Sequence, residues 1–261
     1  MIPEIFIENW RKTVKWQTLE QIEQDLIISR VLIELYNDPQ IKNTLVFRGG
    51  TALNKLFLKP PARYSEDIDF VQKNPDPIGQ TLDAIRELLK PLLGEPKWKI
   101  TQRSAKLIYK YESINKMPAK LKIEINTTEH FQVLPLKSVA FSMDSTWLKG
   151  TTDILTYEID ELMATKLRAL YQRRKGRDLF DIWYATSNEF INLNRVFDIF
   201  SKYCTYNNIQ ISREDFIKNL EQKKNHRDFH MDMSILLPSK LNWNFDETYS
   251  FVIDKVISKM P

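Results

Sequence analysis

The chain has 261 residues, 43% hydrophobic and 28% charged, with 38 Lys and Arg against 34 Asp and Glu for a formal charge of +4. That balance is ordinary for a soluble globular chain that can bury one good core or two small ones, and with only three histidines it speaks against a histidine-dependent hydrolase. No apolar run approaches the ~20 residues of a bilayer span, the N-terminal residues lack a basic stretch before a long apolar run, and one cysteine, Cys204, excludes an internal disulfide, so a cytoplasmic protein with no membrane segment is expected.

Thr18 and Gln21 form a capping-box pattern opening an amphipathic helix through about Tyr36, with Leu19, Ile22, Leu26, Val31, Leu32 and Leu35 inward. Leu45-Val46-Phe47 reads as a short buried strand that delivers the chain to Gly49 and Gly50, where positive φ and bare backbone N–H groups suit an anion. Thr51 is placed as the N-cap of a helix over residues 52–57 that buries Leu53, Leu56 and Phe57 and turns its positive end to bound phosphate. After a surface loop at residues 59–62, Asp67-Ile68-Asp69-Phe70 alternates as a strand, so the two carboxylates project together while Ile68 and Phe70 enter the core. Two hard oxygen donors beside a phosphate cradle are what phosphoryl or nucleotidyl transfer requires. Either piece alone could be an ordinary corner or a half-exposed strand; both in this order are far more specific.

A helix is expected over residues 77–92, then strands over 97–100 and 106–111. Lys120-Leu121-Lys122-Ile123-Glu124-Ile125-Asn126 alternates, placing Lys122, Glu124 and Asn126 on one face. Residues 127–150 read as loop-rich, and from Asp160 the chain reads as largely helical. Residues 1–150 carry 22 cations and 18 acids and residues 151–261 carry 16 of each; between Lys97 and Lys122 eight cations face Glu112 alone. Lysines on such strands could follow a nucleic-acid backbone or protect a sheet edge from mispairing. From Lys166 to Arg177 there are six cations and no acid, beside Leu162, Met163, Leu167, Leu170 and Tyr171 at helical spacing, which predicts a basic face on a packed helix. Gly176 is expected to end that helix and Asp178 to cap the next. His226 and His230 have the i, i+4 spacing of a zinc pair but no third ligand nearby in sequence.

Phe47-Arg48-Gly49-Gly50-Thr51-Ala52-Leu53, Arg63-Tyr64-Ser65-Glu66-Asp67-Ile68-Asp69-Phe70, the run from Glu161 to Leu170, and Arg177-Asp178-Leu179-Phe180-Asp181-Ile182-Trp183 together resemble the AbiEii/AbiGii toxin family. That family belongs to the DNA polymerase β-like nucleotidyltransferase superfamily, and the resemblance spans roughly residues 20 to 190. Two departures stand out: the stretch between Gly50 and Asp67 is longer than in the minimal superfamily pattern, and Thr51 replaces the more usual serine.

The resemblance implies an α+β fold, with a mixed sheet and flanking helices in a catalytic lobe over 1–155 and a mainly helical lobe over 156–261, the site lying between them. It implies a metal-dependent nucleotidyltransferase in which Asp67 and Asp69, with Glu124 as the third carboxylate, hold two Mg²⁺. Gly49, Gly50 and Thr51 seat an NTP, Lys166 steadies the phosphates, and Asp181 or Asp178 is a functional acid. Ser65 becomes a candidate for inactivating phosphorylation. The implied role is that of a toxin acting on an RNA acceptor, the 3′ end of tRNA, and so blocking translation, with a cognate antitoxin as partner. Transfer of NMP to a protein Ser, Thr or Tyr, or an inactive nucleotide- or antitoxin-binding module, are the alternatives.

Overall fold

The computed structural model describes residues 2–238 and 241–261, which form two compact units: residues 2–132 with 136–157, and residues 133–135 with 158–238 and 241–261.

In the first unit, α1 (Glu4–Trp10), α2 (Leu19–Tyr36) and α3 (Pro39–Thr44) precede β1 (Leu45–Arg48). The capping box of α2 forms as the sequence suggests, Thr18 accepting from the Gln21 amide while Gln21 reaches back to the Thr18 amide. Next come α4 (Gly49–Ala52), a π-helical turn (Leu53–Phe57), β2 (Asp67–Gln72), α5 (Gly79–Leu93), β3 (Lys97–Ile100), β4 (Ser104–Glu112), β5 (Pro118–Asn126), β6 (Lys137–Asp144) and β7 (Lys149–Thr156).

The seven strands make one sheet in the order β3-β4-β5-β2-β1-β7-β6. β2 runs parallel to β5 and β1 parallel to β7, while the remaining neighbours are antiparallel. Alternation sorts the faces. Leu121, Ile123 and Ile125 of β5, Leu107 and Tyr109 of β4, and Ile68 and Phe70 of β2 are all buried, while the residues between them, Ile108 apart, are polar. Buried Tyr36 ties α2 to the sheet by donating to the Leu45 and Leu155 carbonyls at 3.2 and 3.1 Å.

The stretch expected to be loop-rich, residues 127–150, contains β6 and the start of β7. Its β6 is an edge strand whose residues are mostly exposed, so the hydrophobic alternation that betrays a strand is weak there.

The second unit is helical: α6 (Ile159–Gln172), α7 (Gly176–Ser187), α8 (Leu193–Tyr206), α9 (Arg213–Lys224), α10 (Arg227–Met231) and α11 (Phe245–Lys255), then a 3₁₀ turn at Ile257–Lys259. Gly176 does not end α6, which stops at Gln172; it opens α7, and a side chain there would strike the Phe229 carbonyl oxygen. Close backbone approach, rather than a helix stop, is what this glycine serves. Asp178 likewise is no cap: Lys175 holds the N-cap position, and Asp178 is wholly buried in an ion cluster.

Candidate active site

The glycine turn and the paired carboxylates meet within the first unit. β1 and β2 are antiparallel with Arg48 opposite Asp69, so the chain leaving β1 at Gly49 starts beside the carboxylate of Asp69. Gly49 has φ +81, and a Cβ built there would lie 2.7 Å from Asp69 Oδ2. Gly50 is crowded in the same way by the Arg63 guanidinium and by Ser65 Oγ at 3.3 Å. Both positions therefore need glycine for space, and Gly49 also for its backbone angle.

Thr51 lies inside the helix, one correction to the sequence reading, since Arg48 occupies the N-cap position. Its buried hydroxyl instead donates to the Asp67 carbonyl and lies 2.8 Å from the Ser65 hydroxyl, fastening the turn to the start of β2. The helix then widens into a π turn, a local irregularity common at functional sites. Asn54 in that turn donates to the Gly50 carbonyl at 2.9 Å and accepts from the Ala62 and Arg63 amides at 2.9 and 3.1 Å. The long loop before β2 is thus held against the turn: Lys59 and Pro60 are exposed, but Ala62, Arg63 and Tyr64 are buried. Lys55, one residue on, pairs with buried Asp25 of α2 at 2.7 Å and fixes the turn to the body of the unit.

On the polar face of the sheet, parallel pairing sets Asp67 beside Lys122 and Asp69 beside Glu124. Lys122 Nζ lies 2.8 Å from Asp67 Oδ2 and 3.4 Å from Glu124 Oε2, and Lys106 lies 2.9 Å from Glu124 Oε1. These lysines hold the Glu124 carboxyl below its ordinary range against the opposing effect of burial. Asp69 is different. Burial, then the neighbouring Asp67 charge, raise its pKa against the attraction of Arg48 and Lys122. Burial works against the charge on Arg48, yet its 2.6 Å pair with Glu129 leaves its pKa raised.

A half-buried carboxyl repelled by its neighbour on one strand is a donor set that a hard divalent cation relieves, so Asp67 and Asp69 fit such an ion. Glu124 lies next to them but is engaged by two lysines, and among the described residues no cluster of three or more His, Cys, Asp or Glu converges as a metal site. His226 is the N-cap residue of α10, and the His230 ring stacks on Phe245 at 3.7 Å. Cys204 is buried.

The second unit has its own charged centre. Lys166 Nζ lies 3.0 Å from Asp178 and 2.9 Å from Asp181, both fully buried, and Arg173 grips Asp178 with two nitrogens at 2.7 and 2.9 Å. Burial disfavours the Asp178 charge, but Lys166 and Arg173 win and lower its pKa to about 2. The run of six cations is accordingly not a plain basic face. Lys166 and Arg173 are neutralised by α7, Lys175 and Arg177 pair with Asp232, and Arg168 lies over the Tyr203 ring. Sequence reasoning missed Lys122, Arg63, the Arg48–Glu129 pair and the Lys55–Asp25 pair. Only Lys122 left a signal, through its place on the Glu124 face.

Comparison with known proteins gives a family and a fold. The sequence model of a family described as "Nucleotidyl transferase AbiEii toxin, Type IV TA system" matches residues 30–250. Among solved structures, the nucleotidyltransferase toxin MenT4 from Mycobacterium tuberculosis superposes with a TM-score of 0.64 at 15% identity, covering 100% of this chain and 91% of that one. JHP933 from Helicobacter pylori gives 0.57 at 18% identity, covering 90% of each chain. At these identities the likeness establishes the fold, and the expected mixed sheet with flanking helices is borne out. No curated protein matches the chain.

Proposed function

The chain belongs to the AbiEii nucleotidyl transferase toxin family, and from that premise we propose that it transfers a nucleoside monophosphate from an NTP to the terminal hydroxyl of an RNA, the 3′ end of tRNA being the acceptor that would halt translation. The observation that carries this reading is the contact between the Gly49 turn and Asp69, on the same strand face as Asp67.

The backbone amides at Gly49 and Gly50 and the start of α4 present an anion-seeking end on which the triphosphate rests. The Thr51 hydroxyl, already committed to the Asp67 carbonyl, acts as a brace rather than a ligand. Asp67 and Asp69, joined by Glu124 once its lysines are exchanged, would hold two Mg²⁺, which supply Lewis acidity at the α-phosphate and at the acceptor hydroxyl. The acceptor oxygen forms the new bond to the α-phosphorus as the bond to the pyrophosphate oxygen breaks, and the hydroxyl proton leaves to a carboxylate or to water. The resemblance selects Lys166 for the phosphates, and in the helical unit its ammonium is clamped between buried Asp178 and Asp181. Ser65, packed over Gly50, is the residue at which phosphorylation would put about −1.5 to −2 charge against the turn and switch the site off.

Incubation with each α-labelled NTP, Mg²⁺, total RNA and total cell protein tests the reading. Label on tRNA, lost in Asp67→Asn, supports it. Label on protein instead would move the acceptor to a Ser, Thr or Tyr hydroxyl, and no label from any NTP would leave a binding module paired with an antitoxin.

A further inference from the structure

The polar face that carries Asp67 and Asp69 continues across three more strands, and half of its residues there, six of twelve, are lysine. Cross-strand register defines two rows: Asp69, Glu124, Lys106 and Lys99 in one, Asp67, Lys122, Ile108 and Lys97 in the other. Beside them Lys110 stands opposite Lys120. The rows lead from the carboxylates on β2 to the edge strand β3, a span of about 14 Å at roughly 4.8 Å per strand.

Two pairs, Lys99 with Lys106 and Lys110 with Lys120, set like charges directly opposite each other, which destabilises a sheet. Edge protection accounts for lysines on β3 and can serve Lys110 and Lys120, which lie past the ends of the β3 and β2 pairings, but Lys106 and Lys122 are flanked by paired strands on both sides. Lys97, Lys99, Lys110 and Lys120 are exposed, whereas Lys106 and Lys122 are taken up by Glu124 and Asp67. Glu112, at the far end of β4, is the other acid on this face.

We propose that this face of β3, β4 and β5 is a track for the phosphate backbone of single-stranded nucleic acid, whose terminal hydroxyl it leads to Asp67 and Asp69. The proposal rests on the nucleotidyl-transfer reading and adds the surface on which the acceptor lies. Charge complementarity selects this occupant: a protein partner would need an apolar centre, and here half-buried Ile108 is the one large apolar side chain among the face residues of β3 to β5. Phosphate contacts supply affinity without such a centre.

The test is fluorescence anisotropy of short single-stranded oligonucleotides, RNA and DNA of one sequence, titrated with the full chain from 50 to 200 mM salt. Poly-glutamate serves as the rival polyanion. Lys97, Lys99, Lys110 and Lys120 are changed together to Gln, and separately Lys97 and Lys99 alone. Lys149→Gln with Lys202→Gln is the control, since both are exposed and lie off this face.

The four-site variant should bind oligonucleotide at least about tenfold more weakly, and the slope of log K against log salt should flatten by about 2.8, which is 0.7 for each of four lysines. The two-site variant should lie between, the control should match wild type, and fluorescent-NTP binding should persist in all. RNA and DNA binding alike would mean the backbone alone is read, and RNA binding alone would add contact to the 2′-hydroxyl. Unchanged oligonucleotide binding in the four-site variant, or poly-glutamate binding with no oligonucleotide binding, overturns the track. Wild type that labels protein from NTP without binding RNA or DNA overturns the track and leaves nucleotidyl transfer standing; NTP binding with no label on any acceptor overturns the transfer itself.

Discussion

Replacing Gly49 by alanine tests the junction on which the site is built. At φ +81 a side chain costs about 1–2 kcal/mol from backbone crowding alone. The added methyl would lie 2.7 Å from Asp69 Oδ2, where ordinary contact begins at 3.4 Å, so the carboxylate must retreat by about 0.7 Å, the difference of the two. Together these predict a loss of about 2–3 kcal/mol and a fall in Tm of about 5–10 °C for a unit of this size. A misplacement approaching 1 Å at the reacting centre costs on the order of 100-fold in rate, so NTP turnover should fall about that far. Gly79→Ala is the matched control, because nothing lies within 4 Å of the added carbon and no positive φ is involved; its stability should change by less than about 0.5 kcal/mol. Differential scanning calorimetry and pyrophosphate release measure both variants. Gly49→Ala with wild-type Tm and turnover would refute the claim that the turn and Asp69 share one crowded pocket.

Three further outcomes follow from the charges. Lys122 now acts as the cation on Asp67, so Lys122→Met should tighten Mn²⁺ binding about five- to tenfold in an EPR titration without nucleotide, a gain of about 1–1.4 kcal/mol; weaker binding would contradict that role. Asp178, lowered from 3.8 to about 2, stabilises the fold above pH 3.8 by about 2 kcal/mol, and this is lost as pH falls through about 2. Urea titrations followed by tryptophan fluorescence should show that loss in wild type but not in Asp178→Asn, which at pH 7 should be less stable by about 3 kcal/mol because Lys166 and Arg173 lose a buried partner. Ser65→Asp should weaken NTP binding at least tenfold by placing a carboxylate over Gly50, and equilibrium dialysis showing wild-type affinity would remove Ser65 from regulation.

What could be read from the residues alone was what backbone chemistry dictates locally. Gly49 and Gly50 are legible because few other residues take such a turn, and Asp67 and Asp69 because a strand has a period of two. Thr51 was misplaced because a hydroxyl at a helix start suits a cap equally well, and only tertiary contact shows it turned to the Asp67 carbonyl. The run from Lys166 to Arg177 looked uncompensated because its partners, Asp178, Asp181 and Asp232, lie outside the window. Glu124 was found by alternation, but its engagement by Lys106 depends on a register between β4 and β5 that no local pattern encodes. The same register turned a scatter of lysines into rows leading to the carboxylates.

The most direct measurement pairs pyrophosphate release from NTP with Tm in Asp69→Asn. Burial and the Asp67 charge disfavour the ionised carboxyl in the folded chain, so the neutral amide should hold or raise Tm while turnover falls at least about a hundredfold, as expected for a residue kept at a cost to stability. Turnover that survives in a well-folded Asp69→Asn protein would contradict the assignment of these carboxylates to catalysis.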